Sequence, residues 1–157
     1  MTFEEAMGIL EALEYEGVDY VLVGSMAMAV QGIVRATRDI DIFVSPAAEN
    51  VERLKEALHS LYDDPSIDEI SAEDLGGDFP AIQYTPPHGR FWLDILARLG
   101  DAFRYDDLDW ETLDIEGITV RVATPRMLHR MKKDTVRPQD RADAARIREV
   151  FELDREG

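Results

Sequence analysis

Residues 39 to 43, Asp-Ile-Asp-Ile-Phe, constrain the fold more than any other stretch of this chain. Side chains alternate faces along a strand, so Asp39 and Asp41 project to one side while Ile40 and Ile42 project to the other. The isoleucines ask for a core. The aspartates, roughly 7 Å apart along the strand, repel each other unless water or a cation lies between them. The segment therefore predicts a strand over Asp39 to Val44 with one packed face and one carboxylate face. A chain of 157 residues suits one ordinary domain, and 45% apolar against 32% charged residues is a balance that folds rather than stays disordered.

The rest of the chain supplies partners for that strand. Thr2 and Glu5 have capping-box spacing, and Phe3, Met7, Leu10 and Leu13 recur at helical intervals until Gly17. Asp19 to Val23 reads as a strand ending at Gly24, and Ser25 to Gln31 as a short helix closed by Gly32, with Ser25 placed to cap it. Ser45 at a cap and Pro46 in a first turn open a helix that turns Val51, Leu54, Leu58 and Leu61 inward. Residues 62 to 80, acidic and rich in Gly, Asp and Pro, read as a loop. Strands are predicted at Ala81 to Thr85 and Arg90 to Leu96, joined by Pro-Pro-His-Gly, and Asp114 to Val122 resembles a hairpin around Gly117. Helices follow from Pro125 and from Pro138, the last placing Ala142, Ala145, Ile147, Val150 and Phe151 near one side. This order predicts an α/β or α+β domain over residues 1 to 157, a mixed sheet flanked by helices, with the C-terminal helices from about 125 packed on the core.

Composition removes several function classes. With no cysteine there are no disulfides, thiolate zinc sites or cysteine nucleophiles, which fits a reducing compartment. The acidic N-terminus is unlike a signal peptide, and no apolar run approaches bilayer length, so a cytoplasmic protein without a membrane partner is expected. A net charge of −16 opposes coating of nucleic acid by electrostatics alone. The charge is uneven: residues 1 to 120 hold seven Lys or Arg against 26 Asp or Glu, and residues 121 to 157 hold ten against seven. If any surface receives a polyphosphate or an RNA backbone, the C-terminal end is the candidate; an ordinary solvated helix face fits the same charges.

Asp94 changes the weight of the aspartate pair. In Phe-Trp-Leu-Asp-Ile-Leu it is again a single acid inside an apolar strand, and beside Asp39 to Val44 it can complete a three-carboxylate site of oxygen ligands. Such a site suits Mg²⁺ or Mn²⁺ rather than zinc. Two acids on a strand also fit a merely exposed sheet face. Gly24 and Ser25 lie fourteen to seventeen residues before the aspartates at a strand-to-helix turn, where unpaired N–H groups and a glycine let a phosphate approach closely. Together these features form a phosphate cradle facing a metal site, as transfer at a nucleotide phosphate requires. Arg35 and Arg38 flank the aspartate strand, and meeting substrate phosphate or neutralising nearby acids accounts for them equally.

The stretch Val-Leu-Val-Gly-Ser-Met-Ala-Met-Ala-Val-Gln-Gly-Ile-Val-Arg-Ala-Thr-Arg-Asp-Ile-Asp-Ile-Phe-Val resembles the signature of the nucleotidyltransferase superfamily related to polymerase beta. It is most similar to the small bacterial AbiEii-type toxin nucleotidyltransferases, whose strand ends in Gly-Gly or Gly-Ser before an Arg-x-Thr-x-Asp-h-Asp segment. Thr124 to Ile147 resembles that group's last motif region. The resemblance spans residues 18 to 148 and is weak in the middle apart from Asp94. It implies that Gly24 and Ser25 hold the nucleotide phosphates, that Asp39 and Asp41 bind catalytic metal, and that Asp94 is the third acid, helping to activate the attacking hydroxyl; Arg38, beside the aspartates, is a further nucleotide-binding candidate. It also implies that Lys132 lies near the triphosphate, with Lys133 as alternative, and that Asp140 is the acid of the last motif, with Asp143 as alternative. The implied substrate is an NTP. The implied acceptor is RNA, a tRNA end among them, or a protein side chain, with a cognate antitoxin as partner; the acidic body instead favours a small cationic acceptor.

Two further classes fit parts of this pattern: a nucleotide-binding relative without catalysis, and a glycosyltransferase using Asp-x-Asp. The latter usually needs a larger domain and no Gly-Ser helix start. His59, His88 and His129 show no metal spacing, and Met26 and Met28 fit core packing.

Overall fold

The structure, a computed structural model, describes residues 3–33, 39–77, 81–87, 92–99, 103–133 and 138–152. Arg35, Arg38 and His88 lie outside these. Helix α1 (Phe3–Tyr15) buries Met7, Leu10 and Leu13 as their spacing predicts. Strand β1 (Tyr20–Val23), buried throughout, leads into α2 (Gly24–Val30), which places Met26 and Met28 in the core. Strand β2 (Asp39–Val44) is followed by α3 (Ala48–Leu61), then α4 (Ala72–Gly76), β3 (Ala81–Tyr84), β4 (Trp92–Leu96) and the short pair β5 (Arg98–Leu99) and β6 (Phe103–Arg104). The hairpin β7 (Trp110–Ile115) and β8 (Ile118–Ala123), then α5 (Pro125–Lys132) and α6 (Pro138–Val150), complete the described chain.

Six strands form one mixed sheet in the order β3-β4-β2-β1-β8-β7. Strand β1 is antiparallel to β2 and parallel to β8, β2 is parallel to β4, and the outer pairs are antiparallel. This is the α+β arrangement that the element order predicts. The β7–β8 turn consists of Glu116 and Gly117, both at positive φ (52° and 86°), the geometry of a two-residue hairpin turn whose twist matches its strands. Buried residues of α1, α2 and α3 join those of the strands in one hydrophobic cluster, which also takes in Met127, Leu128 and Ile147 from the last two helices. Among the described residues no helix is long and apolar enough to cross a membrane.

Several local expectations are corrected. Ser25 does not cap α2: the cap position is Val23, with no side-chain hydrogen bond, and Ser25 lies inside the first turn. Ser45 does not cap α3, which starts at Ala48 behind Ala47. The buried Asn50 ties this end instead, its amide donating to the carbonyls of Ser45 (2.8 Å) and Asp19 (3.1 Å) and its oxygen accepting from the Asp19 N–H (2.6 Å). Leu61 is exposed at the end of its helix. The acidic stretch after α3 is structured: a 3₁₀ turn at Pro65–Glu69, capped by Asp64, and α4, capped by Ser71, bury Ile67, Ile70 and Leu75. Three isolated apolar residues among acids carry no periodicity, so composition hid them. Strand β7 begins at Trp110 rather than Asp114, because its inward positions alternate through Glu111, Leu113 and Ile115 and the charge at Glu111 masks the pattern. On α6, Asp143, Ala144 and Ile147 face inward while Ala142, Ala145 and Val150 are exposed. A buried aspartate defines that face, and a search for apolar residues passes it over.

Candidate active site

The site is built where β1 ends beside β2. Val23 pairs with Asp41 in the antiparallel register, so Gly24 sits directly against the Asp41 side chain. Gly24 has φ +72°, a conformation that side chains rarely adopt, and a Cβ there would fall on the Asp41 carboxylate, 2.9 Å from its Cγ. The glycine predicted as a phosphate cradle therefore also makes room for a carboxylate.

Strand β2 keeps its two faces apart as the alternation requires: Ile40 and Ile42 are fully buried, while Asp39 and Asp41 are half-buried on the other side. Oδ1 of Asp39 is a buried oxygen. The parallel register of β2 with β4 aligns Asp41 with Asp94, and their carboxyl groups share a hydrogen bond. Two carboxylates can do this only by sharing a proton. Burial first, then that hydrogen bond and the negative charges of Asp94 and Asp39, push the Asp41 carboxyl up to about 7, with Lys132 pulling in the opposite direction.

The opposite wall comes from the C-terminal helices. Lys132, the last residue of α5, is buried; its Nζ donates to Asp143 Oδ2 at 2.9 Å and lies 3.5 Å from Asp140 Oδ1. Gln139 Nε2 donates to the other Asp143 oxygen at 2.9 Å. A pocket of about 170 Å³ opens between the two walls, lined by Gly24 and Asp41 on one side, Lys132 and Asp140 on the other, and Val23, Leu96, Leu128 and Met131. Of the predicted residues, Gly24, Asp41, Lys132 and Asp140 line it; Asp94 bonds to Asp41 behind it, and Asp39 neighbours Asp41 on the same strand face. Asp143 is buried behind Lys132, and Lys133 is the cap residue that follows α5. Ser25 is half-buried beside Gly24. Gln139 is the residue that sequence reasoning missed, its only signal being its place one turn before Asp143 on α6. His59 bonds to Asp68, and His129 is buried in α5, away from any histidine cluster.

The donors fit a hard divalent cation. Asp39, Asp41 and Asp94 offer only oxygens, and Gly24 gives the Asp41 carboxylate its room. Among the described residues no group of three or more acidic, histidine or cysteine side chains is placed to hold a metal ion. Magnesium is ordinarily held by one or two carboxylates together with substrate phosphates, an arrangement needing no enclosing protein cage.

The model of the nucleotidyl transferase AbiEii toxin, of a type IV toxin–antitoxin system, matches residues 9–151. The chain belongs to the AbiEii nucleotidyl transferase family. Its enzyme class, nucleotidyl transfer, follows from that membership. No curated protein matches the AbiEii-family chain described here. Among solved structures it is similar to the lincosamide antibiotic adenylyltransferase LnuA, lincomycin-bound, at 14% identity and a TM-score of 0.62, covering 96% of this chain and 98% of that one. It is similar also to ANT(2")-Ia in complex with adenylyl-2"-tobramycin (14% identity, TM-score 0.55, 96% and 88% covered). A third is an antigenic nucleotidyltransferase-like protein from Paracoccidioides brasiliensis (16%, 0.54, 96% and 78%). At these identities the structures speak for the fold, and the AbiEii match carries the family.

Proposed function

We propose that this AbiEii-family protein moves a nucleoside monophosphate from an NTP to an acceptor hydroxyl and releases pyrophosphate. The observation that carries the proposal is the strand register that sets Asp41 beside Asp94, with Gly24 against Asp41 and Lys132 on the facing wall of the same pocket. Asp39 and Asp41, with Asp94, would hold Mg²⁺ or Mn²⁺. When bound, the ion supplies charge to the phosphate oxygens as the pentavalent transition state forms. Gly24 and Ser25 would receive the phosphates at the start of α2, and Lys132, kept in place by Asp143 and Asp140, would neutralise the triphosphate. Arg38 joins the same reading as a cation next to Asp39 in the sequence, able to meet the substrate phosphate. The acceptor oxygen attacks the α-phosphorus, the bond to the pyrophosphate oxygen breaks, and Asp94 accepts the hydroxyl proton.

The family description, a toxin of a type IV toxin–antitoxin system, supports a cognate antitoxin; the acceptor in this reading is RNA, a tRNA end among the candidates, or a protein side chain, in the cytoplasm where NTPs are supplied. A specific observation favours a second acceptor class: the net charge of −16 attracts small cations and repels polyanions. The test incubates the purified protein with each α-labelled NTP, Mg²⁺ or Mn²⁺, and total bacterial RNA, beside Asp41→Asn. Label entering RNA only with the native protein supports the RNA acceptor. Label that enters an added aminoglycoside instead moves the reading to a small cationic acceptor, and label entering neither, with NTP bound but uncleaved, sinks the proposal.

A further inference from the structure

A second cavity lies apart from the transfer pocket. It has a volume of about 290 Å³ and lies past the C-terminal ends of β2 and β4, lined by Ser45, Pro46, Ala97, Arg98, Arg104 and Tyr105, with Leu75, Gly76 and Asp106 closing it. Ser45 follows Asp41 along β2 by roughly 13 Å at the rise of a strand. No lining residue is shared with the transfer pocket.

Two arginines face this space from opposed positions. Arg98 and Arg104 are register partners in the β5–β6 pair, and like charges directly opposite each other on a ladder destabilise it. In a chain with 33 acidic residues against 17 basic ones, neither arginine is in a salt bridge among the described residues. Among the described residues Nε of Arg98 is buried without a hydrogen-bond partner, and its Nη2 makes a long bond, 3.5 Å, to the Gly77 carbonyl. A buried guanidinium N–H left unsatisfied is costly, and the group that satisfies a guanidinium fork best is an oxyanion. The remaining walls are chemically mixed. Pro46, Leu75 and Ala97 are apolar, while Ser45 and the Asp106 carboxylate offer groups to a hydroxylated body, and Asp106 would repel a second anionic end.

We propose that this cavity is a second binding site, separate from the transfer pocket, that takes a small phosphate monoester, its phosphate between Arg98 and Arg104 and its hydroxylated body toward Asp106. The volume exceeds what one inorganic phosphate fills and stands at the lower end of small-molecule pockets. Carboxylates share the oxyanion chemistry, and the test separates the two.

The ¹⁵N-labelled full chain is titrated with glycerol 3-phosphate, with acetate and with glycerol, and amide shifts are followed at Ala97, Arg98, Tyr105 and Asp106 and, separately, at Gly24 and Asp41. Saturable shifts at the first group with glycerol 3-phosphate, weakened roughly 10-fold or more by Arg104→Gln and retained in Lys132→Gln, are expected. Arg98→Lys, which keeps the charge and loses the fork, should weaken binding without unfolding the chain. Equal response to acetate would reassign the site to carboxylates and overturn the phosphate proposal. Shifts confined to Gly24 and Asp41, or an unaltered response in Arg104→Gln, would overturn the second site itself.

Discussion

Asp41 is the residue on which the site's chemistry and its cost meet. Its carboxyl is pushed up to about 7, above the ordinary value of 3.8, chiefly by burial and by Asp94. A folded-state value raised in this way means that the native protein holds a proton the unfolded chain gives up. The stability this group contributes is fully present below about pH 3.8 and is lost as pH rises through about 7. In a metal-free melt the native protein should therefore lose more melting temperature between pH 6 and pH 8 than Asp41→Asn does, and Mg²⁺ at pH 8 should restore the native protein but not the variant. Parallel slopes for the two proteins would contradict this. In the labelled-NTP assay Asp41→Asn is expected to lower transfer about 100-fold or more. Gly24→Ala tests the neighbouring position. It forces a side chain into a positive-φ residue and onto Asp41, so it should cost roughly 1–3 kcal/mol in denaturant unfolding and weaken nucleotide binding as well. The aspartates and the glycine were legible because each breaks a local pattern, an acid in an apolar strand or a glycine at a strand end. Gln139 and the division of labour between Asp140 and Asp143 were not, since which of two acids one turn apart points at Lys132 depends on how α6 is rotated against α5.

Helices α5 and α6 are joined by the Lys132–Asp143 pair, with Gln139 completing the carboxylate's partners. Removing one member of a buried pair leaves the other charge stranded. Asp143→Ala is therefore expected to lower stability by about 3 kcal/mol, whereas Asp140→Ala, at the pocket wall, should weaken NTP binding more than it lowers the melting temperature. Equal stability losses in the two variants would refute this separation. At the other end of the sheet Asn50 fastens the start of β1 to the end of β2, and Asn50→Ala should cost about 2 kcal/mol by leaving buried backbone groups unpaired. Strands β1 to β4 and β8, the hairpin turn and the helices α1, α2 and α5 could be read from the sequence because period and turn chemistry agree there, whereas the two-residue strands β5 and β6 are too short to show a period. The caps of α2 and α3 could not, since serine placed before a helix is a preference and the strand-end geometry at Gly24 and the Asn50 bonds override it. The acidic segment after α3 and the face of α6 failed for a related reason: charged residues carry the inward or neighbouring positions, and only tertiary partners reveal that.

For the molecule as a whole, the field of 33 acidic side chains should steer acceptors. Raising salt is expected to slow transfer to a cationic acceptor and to leave a neutral one unchanged, read as kcat/KM, because screening removes long-range attraction. An unchanged rate for the cation would place its recognition inside the pocket alone. The walls of that pocket come from distant parts of the chain: Gly24 follows β1, Asp41 lies on β2, Leu96 ends β4, and Lys132 and Asp140 belong to the last two helices. Neither β1 with β2 nor the whole sheet holds a complete set. A chain cut before Asp140 would keep the strand aspartates and lose both carboxylates that hold Lys132, so it is expected to fold much of the sheet yet bind no nucleotide.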